Sequence, residues 1–488
     1  MTVSSLIQKA KGIHEELLNE FIGSLGEEAT LDEIANQLAA ALLKYGGILL
    51  SGVVDVLSEE FFKDAKTRRA QGLRVKERGR TRIVYTIFGN VELRNDIYED
   101  TTVPAEDSER RCVSPVLEGL GIKPHQKITD GVRRALVAGS VDRSYAKSAA
   151  GVGDGTLTRQ TVHNCVKEAG TVQKFELPDM MRQVKELQIF LDEDHIALQK
   201  DPDGKKSTIV PVGCIAEGIY TEGKSEENPG RRRLLNPVFF TSPDLKSKTL
   251  VDEIAAFVET TYDLTVLEKV VVHGDGAGWI GKALDDTLNT THALDGFHLQ
   301  RELRRFTSWC FTQKKDRNKL RRKLEKALGT NDEAEFERIV TEHMAGIFDQ
   351  KVKDKCTKFL DFIKNHWAAA SSRFDEKTVT VGSCTESIVQ HVLSCRMSTE
   401  PRSWSRIGAA VVATWRTAQI NGVDLLHPNP DEQIQSPYAS HIRKLAAEVA
   451  AQPLNWDIFE PVPEAFDRSS GTQRLLGMFF SCRAAQAV

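Results

Sequence analysis

The sequence predicts a mixed α/β protein carrying a helical insertion, and three observations predict it. From residue 184 onward, short apolar runs of strand length alternate with amphipathic helical stretches. Three acids each border such a run: Asp192 follows Leu187 to Leu191, Asp275 follows Val270 to Gly274, and Glu386 opens Ser387 to Leu393. Residues 298–370 read as helical and basic, with no strand signal.

Residues 1–72 read as helices, since Leu31, Ile34, Leu38, Leu42 and Leu43 recur at helical spacing. Residues 73–110 switch period. Arg82 to Ile87 and Val91 to Arg94 predict two strands joined at Phe88-Gly89-Asn90, with arginines on the exposed positions as candidates for touching phosphates. Residues 111–183 turn helical again. One helix starts at Lys127 to Asp130, a short one covers 144–150, glycines at 151–155 break it, and a third begins near Leu157. A short helix, a glycine turn and a polar helix fit a helix-turn-helix, with Arg159, Gln160 and His163 as DNA-reading residues or simply a bundle surface.

The core is expected in two parts, 184–298 and 373–427, around an insertion at 299–372. Strand one is predicted at 186–192, strand two at 208–216, strand three at 237–240, a helix at 244–263 and strand four at 269–275. A helix should follow through Trp279 and Leu284, then a short fifth strand at 292–295 and a last helix near Glu386. Three strands, helix, strand, helix, strand and helix is the element order of a ribonuclease-H-like core, in which the first, fourth and fifth strands lie parallel. Residues 428–488 read as a linker and tail.

Alternation along strand one turns Asp192 and Asp194 to one side and Glu193 to the other. Either aspartate suits a first metal ligand, and Asp192 is preferred because it follows the apolar run directly. Glycines around Asp275 admit close approach of backbone or substrate. An acid in a first helical turn, as at Glu386, is also favoured by the helix dipole alone. Three carboxylates at one point suit two Mg²⁺ ions, with Mn²⁺ an acceptable substitute, and two such ions suit phosphodiester chemistry. His195 and His273 flank the acids and are expected to pack or hydrogen-bond rather than react.

Bulk composition sets outer bounds. The 488 residues are 40% hydrophobic and 27% charged, with net charge −4, which is ordinary for a folded protein. Positive charge is local: residues 66–82 hold eight Lys or Arg against one acid, and 301–330 hold eleven against three. Such stretches can bind a polyanion or serve only as solvated faces. The eight cysteines include no C-x-x-C pair, which argues against a zinc ribbon and for a reducing, cytoplasmic setting. No signal peptide is expected, and no apolar run near the ~20 residues of a membrane span.

Asp192-Glu193-Asp194-His195, Gly274-Asp275-Gly276-Ala277-Gly278-Trp279, Leu294-Asp295-Gly296-Phe297-His298, Glu386 and Ser394-Cys395-Arg396-Met397 with 401–405 resemble the ISLre-type insertion-sequence transposases. The resemblance runs over roughly residues 75–425. It implies a DDE transposase with a ribonuclease-H-like catalytic domain, which nicks element ends and joins the freed 3′-OH to target DNA. Carried over by position, the triad is Asp192, Asp275 and Glu386, with Asp194 beside it as a further metal ligand. Asp295 and His298 match a D-x-x-H element that supports the active site. The resemblance implies double-stranded DNA as partner, both terminal inverted repeats and target, and a homo-oligomer, since two ends are cut. Arg301, Arg304, Arg305, Lys314, Lys315 and Arg317 would track its backbone. Glu400 stands where a basic residue is expected before Pro401, leaving Arg396 and Arg402 as the DNA contacts there. Trp309 and Trp404 are expected to pack, with stacking on a base as the alternative. Competing readings are a nuclease that cuts without joining and a DNA-binding protein that has lost catalysis.

Overall fold

The computed structural model describes residues 3–24, 30–104, 111–225, 228, 230–285, 288–375, 382, 384–400, 402–426 and 436–451. Pro401 and the linker positions 427–435 lie outside the described residues, as does the tail beyond 451. The chain divides into two compact units: residues 1–135, 149–159 and 427–488, and residues 136–148 and 160–426.

In the first unit, helices Val3–Ser24 and Leu31–Lys63 pack together. Thr30 and Glu33 cap the second reciprocally, satisfying its free N–H groups. Glycines let partners close on this helix: a β-carbon at Gly52 would meet Leu6 at 2.2 Å, and one at Gly46 would meet the Phe88 ring at 2.4 Å. By length and composition this helix is apolar enough to cross a membrane, which corrects the expectation that no such run exists. Lys44, Asp55 and the glycines interrupt the run and disguise it in the sequence. Its inner face, Val54, Leu57 and Phe61, meets Val84, Val91 and Leu93 of the hairpin Thr81–Thr86/Gly89–Arg94. Strands Leu73–Glu77, Ile97–Asp100 and Cys112–Val113 form a separate small sheet. Residues 439–450, read as tail, are a helix whose Ile442 and Leu445 complete this core.

Part of the basic stretch 66–82 is engaged by the fold, while Lys66, Arg69, Arg74, Lys76 and Arg80 are exposed. Arg68 is buried and donates to the carbonyls of Phe61 and Phe62. Arg78 pairs with Glu59, and Arg82 donates to the carbonyls of Lys123 and Gln126. Of these, Arg82 is the hairpin arginine expected on an exposed position to touch phosphate, and it is instead held by the protein itself.

The second unit is built on one sheet. β1 (Glu186–Leu198) pairs antiparallel with β2 (Ser207–Ala216), and β2 pairs antiparallel with β3 (Val238–Thr241). On its other edge β1 runs parallel to β4 (Lys269–Gly274), and β4 parallel to β5 (Thr290–Leu294). The order is thus β3-β2-β1-β4-β5, with β6 (Ser403–Trp404) parallel to the far end of β1. A hairpin, Ile219–Glu222/Arg231–Leu234, leaves between β2 and β3 and has no counterpart in the sequence-based reading. Mixed α/β architecture is what the alternating pattern predicts.

Two elements differ from expectation. β1 does not end at Asp192 but continues to Leu198, because β2 pairs with it from Gln188 to Ala197. Between β4 and β5 there is no α-helix among the described residues, only a single 3₁₀ turn at Ile280–Lys282. Ile280, Ala283 and Leu284 are buried at helical spacing, but they drop directly into the core under the sheet. The helix N-terminus expected beside Asp275 is therefore replaced by a turn.

One sheet face meets α1 (Ser247–Thr261), whose Leu250, Ile254, Phe257 and Val258 pack on Leu187, Ile189, Leu191 and Phe240. Gly213 of β2 lies so close that a β-carbon would sit 2.6 Å from Ile254. Between β5 and the Glu386 segment stand five helices: α2 (Gly296–Cys310), α3 (Lys314–Gly329), α4 (Glu333–Ala345), α5 (Gln350–Asn365) and α6 (Trp367–Ser372). They enclose a separate apolar cluster, with the rings of Phe306 and Phe359 stacked at 4.7 Å. Then come α7 (Thr385–Val389), packed against β1, a π-turn at Gln390–Ser394, and the buried α8 (Arg406–Ile420).

Candidate active site

Strand register sets the site. His273 pairs with Phe190, and Gly274 pairs with Leu294. Carried on by two residues and by one, these registers bring Asp275 level with both Asp192 and Asp295. The rings of Phe190 and His273, two positions earlier on the ladder, stack at 4.6 Å on the same sheet face. Three aspartates thus form a row across three parallel strands, where strands β4 and β5 end.

The electrostatics agree. Burial pushes the Asp192 carboxyl up to about 7; the Glu193 N–H opposes this, and the charges of Asp275, Glu386 and Asp295 add to it. That N–H donates to Asp192 Oδ1 at 2.8 Å. Asp192 therefore senses all three other acids, and it is buried, 7% exposed. Among the described residues, no group of three or more His, Cys, Asp or Glu side chains is close enough to hold a metal ion as it stands.

Each remaining acid is held differently. Asp275 Oδ1 accepts from the Ala277 N–H at 2.8 Å, an Asx turn where a helix is expected to follow. Asp194, on the same face as Asp192, accepts from the Ser398 hydroxyl at 2.8 and 3.1 Å. Glu193 faces oppositely and accepts from Trp279 Nε1. Asp295 is the N-cap of α2, accepting from the N–H groups of Phe297 and His298. Its second oxygen accepts from Thr385 Oγ1 at 2.8 Å, the residue before Glu386. One buried carboxylate thereby joins the start of α2 to the start of α7.

His298 completes that link. Arg301 Nη2 donates to His298 Nδ1 at 3.0 Å, which leaves Nε2 to carry the proton. Nε2 lies 3.2 Å from Glu386 Oε1, within ion-pair range though off the axis of a hydrogen bond. Glu386 itself is half exposed. Losing Asp295 removes a helix cap and orphans the Thr385 hydroxyl. Asp295→Ala is expected to lower stability by about 2–3 kcal/mol, read as a drop in urea midpoint at unchanged slope.

Of the two flanking histidines, His273 is packed into the fold and His195 is not. His273 is buried, bonds Gln188 Oε1 at 2.5 Å, and is pushed down to about 3 by burial, aided by Arg373. His195 is exposed.

The candidate DNA contacts fall into two groups. Arg159 and Gln160 lie exposed on helix Arg159–Ala169, while Arg304, Arg305, Lys314 and Lys315 are exposed on α2 and α3. Arg305 pairs with Glu302, and Arg317 is half-buried. Arg396 and Arg402 are corrections. Arg396 is 4% exposed, donates to the Ser140 carbonyl and lies over the Trp404 ring. Arg402 donates to the Arg396 carbonyl and pairs with Glu400, so the acid that departs from the expected pattern is an internal partner. The Arg396 guanidinium is spent inside the fold, and that of Arg402 is engaged at the surface by the exposed Glu400. Trp404 is buried, with Nε1 donating to the Met397 carbonyl.

Sequence reasoning missed Thr385, Arg373, His366 and Arg416. Gly276 has φ +94°, and His366 Nε2 bonds its carbonyl at 2.9 Å, fastening the end of α5 to the Asp275 loop. Arg373 lies against Gly296, 3.0 Å from where a β-carbon would stand, and it senses the charge of Asp295. Arg416 of α8 donates to the carbonyls of Val392 at 2.6 Å and His391 at 2.8 Å, both within the π-turn. None of these sits in a periodic apolar pattern, so no local signal marks them.

A mixed α/β unit with an acidic row across its parallel strands is the class of protein this fold and site define. The chain belongs to UPF0236, an uncharacterised protein family, which matches residues 25–433. It is similar to a UPF0236 protein of Caldanaerobacter subterraneus subsp. tengcongensis, 28% identical over 421 residues, covering 86% of this chain and 84% of the relative. A second protein of that organism is 27% identical with the same coverage. The UPF0236 protein in the vanSb 3′ region of Streptococcus gallolyticus is 22% identical over 405 residues, 80% of this chain and 84% of the relative.

Proposed function

We propose that this protein is a DDE transposase of an insertion sequence, which cuts element ends and joins the 3′-OH to target DNA. The observation that carries the reading is the register that sets Asp192 and Asp275 level on adjacent parallel strands, with the Glu386 helix packed on the first of them. The strand order β3-β2-β1-β4-β5, with its antiparallel and parallel halves, supports a ribonuclease-H-like core. The relatives add a separate argument. One Caldanaerobacter protein carries eleven locus designations in its name and another carries four. One protein at many loci of one organism is what an element that copies itself leaves behind.

The donor chemistry suits a divalent cation, which the acids would have to draw closer together to share. The donors are hard carboxylate oxygens, and Asp192 is buried where the charges of three other acids reach it. Asp192, Asp275 and Glu386 would hold Mg²⁺. When bound, it supplies positive charge to the attacked phosphate and activates the attacking hydroxyl. The chain's own residues do the rest. Asp295 and Thr385 orient α7, His298 steadies Glu386, and the exposed basic residues of α2 and α3 hold the DNA backbone.

The test uses labelled DNA carrying both flanks of the gene, incubated with the protein and Mg²⁺. Nicks at one fixed position in each flank, followed by joining to a second DNA, are expected. Nicks without joining would reduce the reading to a nuclease, and binding without nicks would overturn it.

A further inference from the structure

At the end of the sheet opposite the acidic row, one buried carboxylate gathers three other chain segments. β2 stops at Ala216, which pairs with Gln188, about 13 Å along β1 from Asp192. Glu217, the next residue, accepts from Arg182 Nη2 at 3.0 Å, from Asn236 Nδ2 at 2.7 Å and from Tyr262 Oη at 3.2 Å. Around that hub the chain exposes apolar side chains. Met180 and Met181 precede Arg182, Leu235 precedes Asn236, Leu264 follows close on Tyr262, and Tyr220 stands on the hairpin that leaves Glu217. They are 38–81% exposed. Large apolar side chains gathered around one point mark a contact surface, and Met, Tyr and Arg are residues that interfaces favour.

The hairpin adds charge beside them. Its register sets Arg233 opposite Tyr220, Arg232 opposite Thr221 and Arg231 opposite Glu222, and all three arginines are exposed. The acids here have partners of their own: Glu222 pairs with Arg233 at 2.8 Å, Glu268 pairs with Lys185, and Asp263 accepts from Thr265. Asp179 is exposed, and Glu226 and Glu227 at the hairpin tip lie outside the described residues. Arg231 and Arg232 thus give the apolar surface a cationic edge.

We propose that this surface takes residues 455–467 of the chain, a segment that lies outside the described residues. Its sequence holds the acids Asp457, Glu460, Glu464 and Asp467, with no Lys, Arg or His. Trp456, Ile458, Phe459, Val462 and Phe466 interleave with them. A surface that suits this segment must offer apolar area and positive charge together. α3 offers the charge alone: Lys315, Lys319, Arg322 and Lys326 recur on its exposed side, and none of the exposed large apolar side chains among the described residues belongs to it. The end of the sheet at Glu217 offers both. Methionine accepts aromatic rings in many orientations, which suits Trp456, Phe459 and Phe466. Apolar contact supplies the affinity, and the arginines select an acidic partner. None of these residues belongs to the acidic row, so the pairing does not depend on strand cutting.

The experiment uses the full chain with a benzophenone amino acid in place of Phe459, irradiated without DNA or metal, and maps the crosslinks by mass spectrometry. Crosslinks to Met180, Met181 or Leu264 are expected. Arg231→Glu with Arg232→Glu, on exposed positions that do not threaten folding, should lower the yield at those residues by about fivefold or more, as two surface ion pairs become repulsions. Adding Asp457→Arg and Glu460→Arg to that variant should bring the yield back, a recovery that a merely damaged surface would not show. Crosslinks that fall instead on α3, or on the same segment of another copy, overturn the proposal. So does the absence of crosslinks, or a yield at the Glu217 end that the arginine reversal leaves unchanged.

Discussion

Asp275→Ala is expected to reduce strand cleavage by about 10²–10³-fold or more, with DNA binding retained. The magnitude follows from removing one carboxylate that would hold the activating cation, a contribution of several kcal/mol to the transition state, at about 1.36 kcal/mol for each tenfold. Asp192→Asn should lose as much activity, yet in chelator at neutral pH it should stabilise the fold by about 1–3 kcal/mol. The reason is that burial disfavours the charged carboxylate of wild type and the charges of Asp275, Glu386 and Asp295 add to this, and the amide removes both costs. Adding Mg²⁺ should then raise the melting temperature of wild type by mass action and leave both variants nearly unmoved. Cleavage by Asp275→Ala at the wild-type rate would show that this row of acids is not the catalytic centre. Equal Mg²⁺ stabilisation of all three proteins would place the cation elsewhere.

Arg416→Ala is expected to be among the most destabilising single substitutions in the second unit, by about 3–5 kcal/mol. Arg416 is 8% exposed and reaches the carbonyls of Val141, Val392 and His391, the carboxylate of Asp142 and Cys395 Sγ. Truncation takes the guanidinium donor from all of those acceptors at once. Because the π-turn follows directly on the helix that bears Glu386, loosening it should also displace that acid. Arg416→Lys restores charge but not the fork, so it should recover part of the stability and little of the cleavage. If Arg416→Ala unfolds at the wild-type denaturant concentration, the π-turn is held by other contacts and this account of Glu386 placement fails.

Much of the core was legible from the chain. The strand runs read clearly because both sheet faces are covered, so Ile189, Val271 and Cys214 are buried regardless of side. The helices after β5 read clearly because their apolar spacing is sustained. The turn after Asp275 misread for a physical reason: Ile280 and Leu284 have helical spacing, but tertiary burial fixes them on a 3₁₀ turn and loop. The end of β1 misread because pairing with β2, not the apolar run, decides where a strand stops. Arg396 and Arg402 misread because a guanidinium looks the same in a sequence whether it meets DNA or a backbone carbonyl.

The sequence by itself determined the alternating α/β order, the positions of Asp192, Asp275 and Glu386 on it, and the D-x-x-H spacing of Asp295 and His298. Those are local matters of periodicity and spacing. Only the tertiary structure decided that Asp194 belongs to Ser398, that Asp295 ties two helices together, and that Trp309 faces a cavity beside Asp275. The first two join partners 204 and 90 residues apart in the chain, and the packing of helices on the sheet brings them within reach.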